Sequence, residues 1–367
     1  MARLSWLDGM RAYAILGVIF VHAVFGLNFQ PPEVLEYAGR YGVYGVQLFF
    51  VISSIAIYMT LAKQRRDASP ISDWYGKRIF RIAPLYFLGI IVFVSLKTAF
   101  NVEQFQLYQI LANITFVHAF VPSANNNVVP GGWSIGVEMA FYLIAPMLFM
   151  LLTTKKWWAW LWSAIGVALL GVTWFVAGGL EGYVENNSYL YFWPFTQIPV
   201  FLIAMAMMKW GDGWILTSAP TPKHVFYVAL LGLGIFFLAG TVAGPLAKSH
   251  MMAPTLFGVA FCCLVLLARD QWKALFSAPF VVHIGRLSYS MYLVHFFVMF
   301  TFKDVFHIVD LANFVPEKVR FFVFFPVILL FTYGLSRITY KWIELPGMQL
   351  GVMLIDKAKR AELSIKV

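Results

Sequence analysis

Apolar runs recur along the whole chain at lengths that predict membrane-spanning helices. A helix of about 17–25 mostly apolar residues can cross the hydrocarbon core of a bilayer. Runs of this kind lie near 10–27, 43–62, 82–100, 134–152, 157–178, 194–208, 225–243, 252–268, 287–303 and 319–341. We therefore predict an all-α integral membrane protein with about ten transmembrane helices.

One further apolar segment is too short to be assigned as a span. It is LYQILANITFVHAF at 107–120, and it carries Asn113 and His118. We predict a re-entrant or interfacial segment, and neither polar residue indicates a function.

The placement of basic residues predicts the direction of the spans. Lys and Arg concentrate in cytoplasmic loops of membrane proteins. With ten spans and the N-terminus inside, most of the 27 basic residues lie on the inner side. Those left outside are Arg40, Lys97, Lys248, Lys303, Lys318 and Arg320. An eleventh span at 107–120 would remove this asymmetry, so we predict cytoplasmic termini, a membrane domain over 1–350 and a basic tail over 351–367.

Composition supports a membrane protein and excludes several other classes. The chain is 61% hydrophobic and 12% charged, with a mean hydropathy of +0.76, whereas soluble domains are about 25% charged. The positive-inside bias explains the net charge of +10 without a nucleic-acid partner. Cys262 and Cys263 are adjacent in an apolar run, so no disulfide framework or metal site is predicted. The first run is too long for the core of a signal peptide, and we expect an uncleaved span.

The first predicted helix carries three ionisable residues. Asp8 and Arg11 lie at its start and His22 near its far end, although Asp or Arg in hydrocarbon costs roughly 2.5–3.5 kcal/mol each. The step from Arg11 to His22 corresponds to a rise of roughly 16 Å and returns almost to the same direction, so the two share a face. Asp8 is placed to pair with Arg11 one turn away.

The segment PGGWSIGVEMAFYLIAP at 130–146 predicts a turn followed by a second polar helix. Ser134 is expected to cap this helix, and Tyr142 lies on the same face as Glu138. Glu138 and His22 fall at similar depths. A contact between them would orient the imidazole and raise its basicity, which suits general base chemistry.

Two more stretches place polar groups on apolar helices. In DWYGKRIFRIAPLYF at 73–87, Arg78 and Arg81 point the same way, and guanidinium groups suit phosphate oxygens. In LSYSMYLVHFF at 287–297, Ser288, Tyr292 and His295 form a polar stripe. Each feature also has a structural interpretation: basic anchors, buried structural carboxylates and histidines, or polar contacts between packed helices.

Taken together, the motifs resemble those of the bacterial membrane-bound acyltransferase 3 family, whose members O-acylate surface carbohydrates. The elements, in the family's order, are LDGMR at 7–11 with His22 following, RIFR at 78–81, WSIGVE at 133–138, SYSMYLVH at 288–295 and IELP at 343–346. The chain departs from the family at Ser54, where Gly is usual, and at Gln47, where an acidic residue is common.

The resemblance implies an O-acyltransferase of the bacterial cytoplasmic membrane that uses acyl-CoA reached from the cytoplasm, with acetyl-CoA as the commonest donor, and no metal. The acceptor would be a hydroxyl of a cell-surface or lipid-linked glycan. Arg78 and Arg81 would hold the CoA phosphates, with Arg11 guiding the pantetheine arm or holding Asp8. His22 would act as general base and Glu138 would orient its ring. Supporting residues would be Asp8, Trp133, Ser134, Tyr142, Ser288, Tyr292 and His295. Some members carry an extracytoplasmic domain, and we expect none here.

Three alternatives stay open. His22 could be the nucleophile and pass through an acyl-imidazole. The same polar residues could line the path of a transporter for a small anion or glycolipid, although the chain shows no half-to-half symmetry. An inactive relative serving as a scaffold would carry nearly identical motifs.

Overall fold

The computed structural model describes residues 4–27, 31–177, 189–210, 222–243, 252–270, 273–305 and 314–365. These residues form helices, and none of them is in a strand. The α-helices are α1 (Ser5–Gly26), α2 (Glu33–Gly42), α3 (Gly45–Arg66), α4 (Ile71–Ala99), α5 (Leu107–Ile114), α6 (Gly132–Leu152), α7 (Trp157–Ala177), α8 (Tyr189–Phe192), α9 (Pro194–Trp210), α10 (Pro222–Ala243), α11 (Ala253–Asp270), α12 (Lys273–Ser277), α13 (Pro279–Phe300), α14 (Glu317–Thr339) and α15 (Leu345–Ile365).

Several of these helices are long and apolar enough to cross a membrane. Among the described residues they are Ser5–Gly26, Glu33–Arg66, Ile71–Ala99, Gly132–Leu152, Tyr189–Trp210 and Val319–Ala361. Shorter apolar helices cover Trp157–Val172, Phe226–Ala239 and Ala253–Leu267. The all-helical, multi-span class is confirmed, while the count of ten spans and the side of the termini stay predictions. Lys248 and the last two residues of the predicted tail lie outside the described residues.

Two glycines allow α1 to lie against α12 and α13. A Cβ atom on Gly285 would lie 1.7 Å from the Asp8 carbonyl oxygen, and one on Gly9 would lie 1.8 Å from the Phe276 carbonyl oxygen. Larger residues cannot occupy these positions without moving a backbone. Because Asp8 meets Gly285 while His22 meets His295 farther along, α1 and α13 run in parallel.

The C-terminal helix lies along the first half of α4. A π-helical turn at Tyr340–Glu344 joins α14 to α15, and the Glu344 side chain accepts a hydrogen bond from Ser290 at 2.8 Å. Farther along, Lys359 Nζ lies 2.7 Å from Asp73 Oδ2. α15 therefore packs antiparallel to α4. This contact fixes the N-terminal part of α4, which carries Arg78 and Arg81.

The segment at 107–120 forms α5 and a 3-10 helix, Val117–Phe120, and is not one of the long apolar helices. Asn113 and His118 in this segment are fully buried. Tyr86 donates a hydrogen bond to Asn113 Oδ1 at 2.7 Å, and His118 Nε2 lies 2.9 Å from the Gly132 carbonyl oxygen. Burial lowers the pKa of the His118 imidazole to about 4. This neutral ring therefore holds the first residue of α6, a structural role that the sequence did not indicate.

Candidate active site

A cavity of about 80 Å³ lies among α1, α3, α4, α6 and α13. This volume accommodates only a few water molecules, at roughly 30 Å³ each. Predicted residues that line it are Arg11, Arg78, Arg81, Ser134, Glu138, Tyr142, Ser288 and Tyr292. The fold thus brings together most of the candidates found by sequence motifs.

The two arginines of α4 face the cavity from the same side, which confirms their predicted common direction. The buried guanidinium of Arg78 donates to Thr60 Oγ1 at 2.8 Å and lies 5.4 Å from the ring centroids of Trp74 and Tyr142. Arg81 makes no hydrogen bond or ion pair with a described residue. Arg78 is therefore held by the protein, whereas Arg81 has donors for a ligand.

The predicted pair at the start of α1 is confirmed. Arg11 Nη1 lies 2.9 Å from Asp8 Oδ1, and Arg286 Nε lies 3.9 Å from Asp8 Oδ2. Because Asp8 is buried and Arg11 lines the cavity, the carboxylate orients the Arg11 guanidinium. Within the described ranges, no cluster of three or more His, Cys, Asp or Glu side chains is arranged to hold a metal ion.

Glu138 presents its carboxylate to the cavity from α6. Both Ser53 and Tyr142 donate hydrogen bonds to the same oxygen, Glu138 Oε1. The contact with Tyr142 confirms that the two share a helix face. None of the described side chains donates to Oε2, so this oxygen can accept a hydrogen bond from a ligand.

The predicted contact between His22 and Glu138 is wrong for this structure. His22 does not line the cavity; its Nδ1 lies 2.7 Å from the Val18 carbonyl oxygen. Its ring lies 5.2 Å from His295 and 4.6 Å from Phe296, measured between centroids. The parallel packing of α13 against α1 fills the space beside His22, while α3 supplies Ser53 to Glu138. Helix spacing predicts depth, but it does not determine which neighbour occupies that depth.

The expected cap by Ser134 is also wrong. Gly131 adopts the left-handed φ of +75° and the helix begins at Gly132, so Ser134 lies within the first turn. Its hydroxyl lies 2.8 Å from Tyr292 Oη. Tyr292 lines the cavity, and its ring also lies 5.8 Å from that of His295.

Trp133 does not line the cavity. Its ring stacks on Phe192 at 4.7 Å, placing it in the core. The family departures have structural contacts as well, since Gln47 donates to Gln197 at 2.9 Å and Ser54 donates to the Phe201 carbonyl at 2.7 Å. Both contacts attach α3 to α9.

Sequence reasoning missed Ser53 and Tyr289, which also line the cavity. Ser53 is a small hydroxyl residue within an apolar helix, and Tyr289 donates a hydrogen bond to the Ile82 carbonyl at 2.7 Å. Ser53 stands beside Ser54, and Tyr289 lies inside SYSMYLVH, but nothing in the sequence distinguished either residue from a packing residue.

Comparison with known proteins assigns the chain to a family. A family described as "Acyltransferase domain" (acyltransferase 3) matches residues 4–341. The chain is 25% identical over 382 residues to "Putative O-acetyltransferase SACOL0978" of Staphylococcus aureus strain COL. It is 24% identical over 383 residues to O-acetyltransferase OatA of strain NCTC 8325 / PS 47. Each alignment covers 95% of this chain but only 58% of the relative.

A comparison with solved structures found no match. The family match nevertheless spans all five helices that build the cavity and includes four of the five quoted motifs, while IELP at 343–346 lies just beyond its end. The chain belongs to the acyltransferase 3 family, as a multi-span membrane member.

Proposed function

We propose that this protein is an O-acetyltransferase of the bacterial cytoplasmic membrane. It would transfer an acetyl group from acetyl-CoA to a hydroxyl of a cell-surface or lipid-linked glycan. The observation that carries the proposal is the convergence of three guanidinium groups and one carboxylate on a single cavity in a chain of this family. The names of the O-acetyltransferase relatives favour acetyl as the transferred group.

Arg81 is the principal donor-binding residue in this proposal. Phosphate oxygens of CoA carry negative charge and accept paired N–H donors from guanidinium groups. Arg78 and Arg11 add positive charge to the cavity, but each already has a protein partner. Because the cavity is small, entry of the pantetheine arm requires lining side chains to move.

His22 is proposed as the general base. Its Nδ1 hydrogen points to the Val18 carbonyl, which leaves the lone pair on Nε2 to accept a proton. The acceptor oxygen would form a bond to the acetyl carbon, the carbon–sulfur bond would break, and the proton would pass through His22 to the CoA thiolate. The reacting atoms would meet near Tyr292, which lines the cavity and lies 5.8 Å from His295, the ring neighbour of His22. In the alternative mechanism His22 itself carries the acetyl group.

Glu138 takes a different part from the one expected from sequence. Its Oε1 atom accepts from Ser53 and Tyr142, and His22 Nδ1 contacts the Val18 carbonyl oxygen instead, so Glu138 does not orient His22 in this arrangement. We propose that Oε2 binds the acceptor or donor within the cavity. In this proposal Glu138 acts within the cavity, whereas His22 acts beside His295.

The direct test supplies radiolabelled acetyl-CoA to membranes that contain the protein and follows the label into glycan. We expect transfer with the unmodified chain, and strong loss with His22→Ala and with Arg81→Ala. Lys77→Ala is the matched control, since Lys77 is an exposed cation on the same helix. Absence of acetyl-CoA-dependent transfer, or full transfer by His22→Ala at equal expression, would contradict the proposal. Substrate flux without any transfer would favour the transporter alternative.

A further inference from the structure

His22 and His295 form a pair of imidazoles between the parallel helices α1 and α13. The ring centroids are 5.2 Å apart with planes tilted by 56°. Phe296 packs against both rings, at 4.6 Å from His22 and 3.9 Å from His295. His295 is completely buried. A separation of this size lets one nitrogen of each ring come within hydrogen-bond range.

The hydrogen bonds to the backbone assign the same tautomer to both rings. His22 Nδ1 lies 2.7 Å from the Val18 carbonyl oxygen, and His295 Nδ1 lies 3.1 Å from that of Met291. A carbonyl oxygen only accepts, so each Nδ1 carries the hydrogen and each Nε2 carries a lone pair. The His295 Nε2 atom is buried and has no partner among the described residues.

A buried acceptor without a donor is unfavourable, so its retention calls for an explanation. In the resting arrangement neither Nε2 offers a hydrogen to the other. The situation changes when His22 takes a proton, because its Nε2 then becomes a donor. A rotation of the rings that brings the two Nε2 atoms together then lets His295 accept this hydrogen.

We propose that His295 is the positioning residue of His22, and that its Nε2 lone pair stabilises the protonated His22 imidazole. The catalytic part of this inference rests on the proposed function. In the reaction, the proton leaves the acceptor hydroxyl, resides on His22 while the carbon–sulfur bond breaks, and passes to the thiolate. His295 holds the imidazolium in place and exchanges no proton overall.

Apart from His295, the described side chains around His22 either have other hydrogen-bond partners or are apolar. Tyr292 is the titratable side chain beside it among the described residues, and its hydroxyl is engaged with Ser134 at 2.8 Å and the Gly131 carbonyl at 3.0 Å. Phe49 packs against Tyr292 from α3, and Phe321 of α14 packs against Phe20 of α1. Glu138 lines the cavity, and its described hydrogen-bond partners are Ser53 and Tyr142.

Two substitutions separate positioning from packing. His295→Asn keeps an amide that can donate to the Met291 carbonyl, but it has no atom at the place of Nε2. His295→Gln is longer and can present an amide oxygen there. Phe296→Leu perturbs the packing of both rings without removing an acceptor and is the matched control.

The first measurement is the pH dependence of carbethoxylation of His22 by diethyl pyrocarbonate, read by peptide mass spectrometry. The reagent attacks the unprotonated imidazole, and the assay needs no transferase activity. We expect His295→Asn to move the midpoint about one unit to lower pH, because the imidazolium loses its acceptor. His295→Gln restores the midpoint, and Phe296→Leu leaves it unchanged. An unchanged midpoint in folded His295→Asn protein overturns the proposal.

The second measurement is the pH–rate profile of acetyl transfer. We expect the acidic limb of kcat to move about one unit lower in His295→Asn, with kcat reduced about tenfold near neutral pH and KM for acetyl-CoA unchanged. A uniform loss of rate at every pH would indicate a merely structural role and overturn the positioning role. The carbethoxylation midpoint could move in His295→Asn while neither the unmodified protein nor any variant transfers acetyl. That result would contradict the proposed function but support the interaction between His22 and His295.

Discussion

Glu138 accepts two hydroxyl hydrogen bonds at one carboxylate oxygen. A substitution can remove its negative charge and keep these hydrogen bonds. Glu138→Gln preserves an oxygen that accepts from Ser53 and Tyr142 but removes the negative charge. We expect kcat to fall at least about 100-fold, within the range for loss of a polar catalytic group. Initial rates with labelled acetyl-CoA measure this.

Ser53→Ala is the companion variant, since it removes one of the two hydrogen bonds and keeps the charge. A hydrogen bond to a charged group contributes about 1.5–3 kcal/mol, so we expect a milder loss of about tenfold. A rate for Glu138→Gln equal to that of the unmodified protein would show that the charge has no part in transfer.

Arg78 and Arg81 are one helical turn apart, yet their contacts predict different effects. Arg81→Ala removes a guanidinium without a described protein partner, so we expect weaker acetyl-CoA binding and an unchanged melting temperature. Arg78→Ala breaks the contacts with Thr60 and two aromatic rings, so we expect a lower melting temperature as well. Equilibrium binding of acetyl-CoA and thermal unfolding in detergent distinguish them. An equal change in melting temperature for the two variants would contradict the assignment of a structural contact to Arg78 and a ligand contact to Arg81.

Helix packing depends on the absence of side chains at two glycines of α1 and α13. Gly285→Ala places a methyl group against the Asp8 backbone, and overpacking of this kind costs about 1–3 kcal/mol or more. We expect a lower melting temperature and loss of transfer, since the same helix pair carries His22 and His295. Size-exclusion chromatography after heating measures the stability.

Gly334→Ala in α14 is the control for this experiment, because nothing lies within 4 Å of its added Cβ. Alanine has a higher helix propensity than glycine by about 1 kcal/mol, so this change should be neutral or stabilising. Similar losses at Gly285 and Gly334 would contradict a specific close approach of α1 and α13.

The 3-10 helix that contacts the start of α6 should make stability depend on pH. Burial lowers the pKa of His118 from its ordinary 6.5 to about 4. Between these values the unfolded chain binds a proton that the folded one does not, so stability falls as pH decreases through this window. We expect a loss of about 2 kcal/mol at pH 5 relative to pH 7.

His118→Gln keeps a donor that can reach the Gly132 carbonyl but does not titrate. Its melting temperature should therefore depend less on pH than that of the unmodified protein between pH 7 and 5. The same pH dependence in both proteins would exclude His118 as the titrating group.

At the scale of helices, the sequence predicts where each helix lies better than it predicts which helices are in contact. Apolar periodicity located helices at the predicted runs, and spacing placed Arg78 beside Arg81 and Glu138 beside Tyr142. It did not predict that His295 would lie next to His22, since relative rotation of distant helices depends on packing of the whole bundle. Ser134 shows a similar limit, because the left-handed Gly131 shifts the helix start.

Across the whole molecule, the continuous helical segment formed by α14, the π-helical turn and α15 has consequences for topology. Val319–Ala361 spans 43 residues, which at 1.5 Å per residue is about 65 Å, twice the roughly 30 Å of a bilayer core. Part of it must extend beyond the hydrocarbon. The contact between Lys359 and Asp73 places the start of α4 beside that end, so both extensions emerge on one side.

This arrangement allows a direct test of the predicted direction of the spans. Lys357 lies on the extension, and Val102 follows the opposite end of α4; both are exposed. Cys262 and Cys263 are buried, so background labelling by a membrane-impermeant maleimide should be low. With cytoplasmic termini, we expect Lys357→Cys to react only in inside-out vesicles and Val102→Cys only in intact, right-side-out ones. Reaction of both from the same side would mean that α4 does not cross the membrane, and exchange of the two sides would reverse the topology. Exchange of the two sides would place the start of α4 outside, where acetyl-CoA could not reach Arg78 and Arg81 from the cytoplasm.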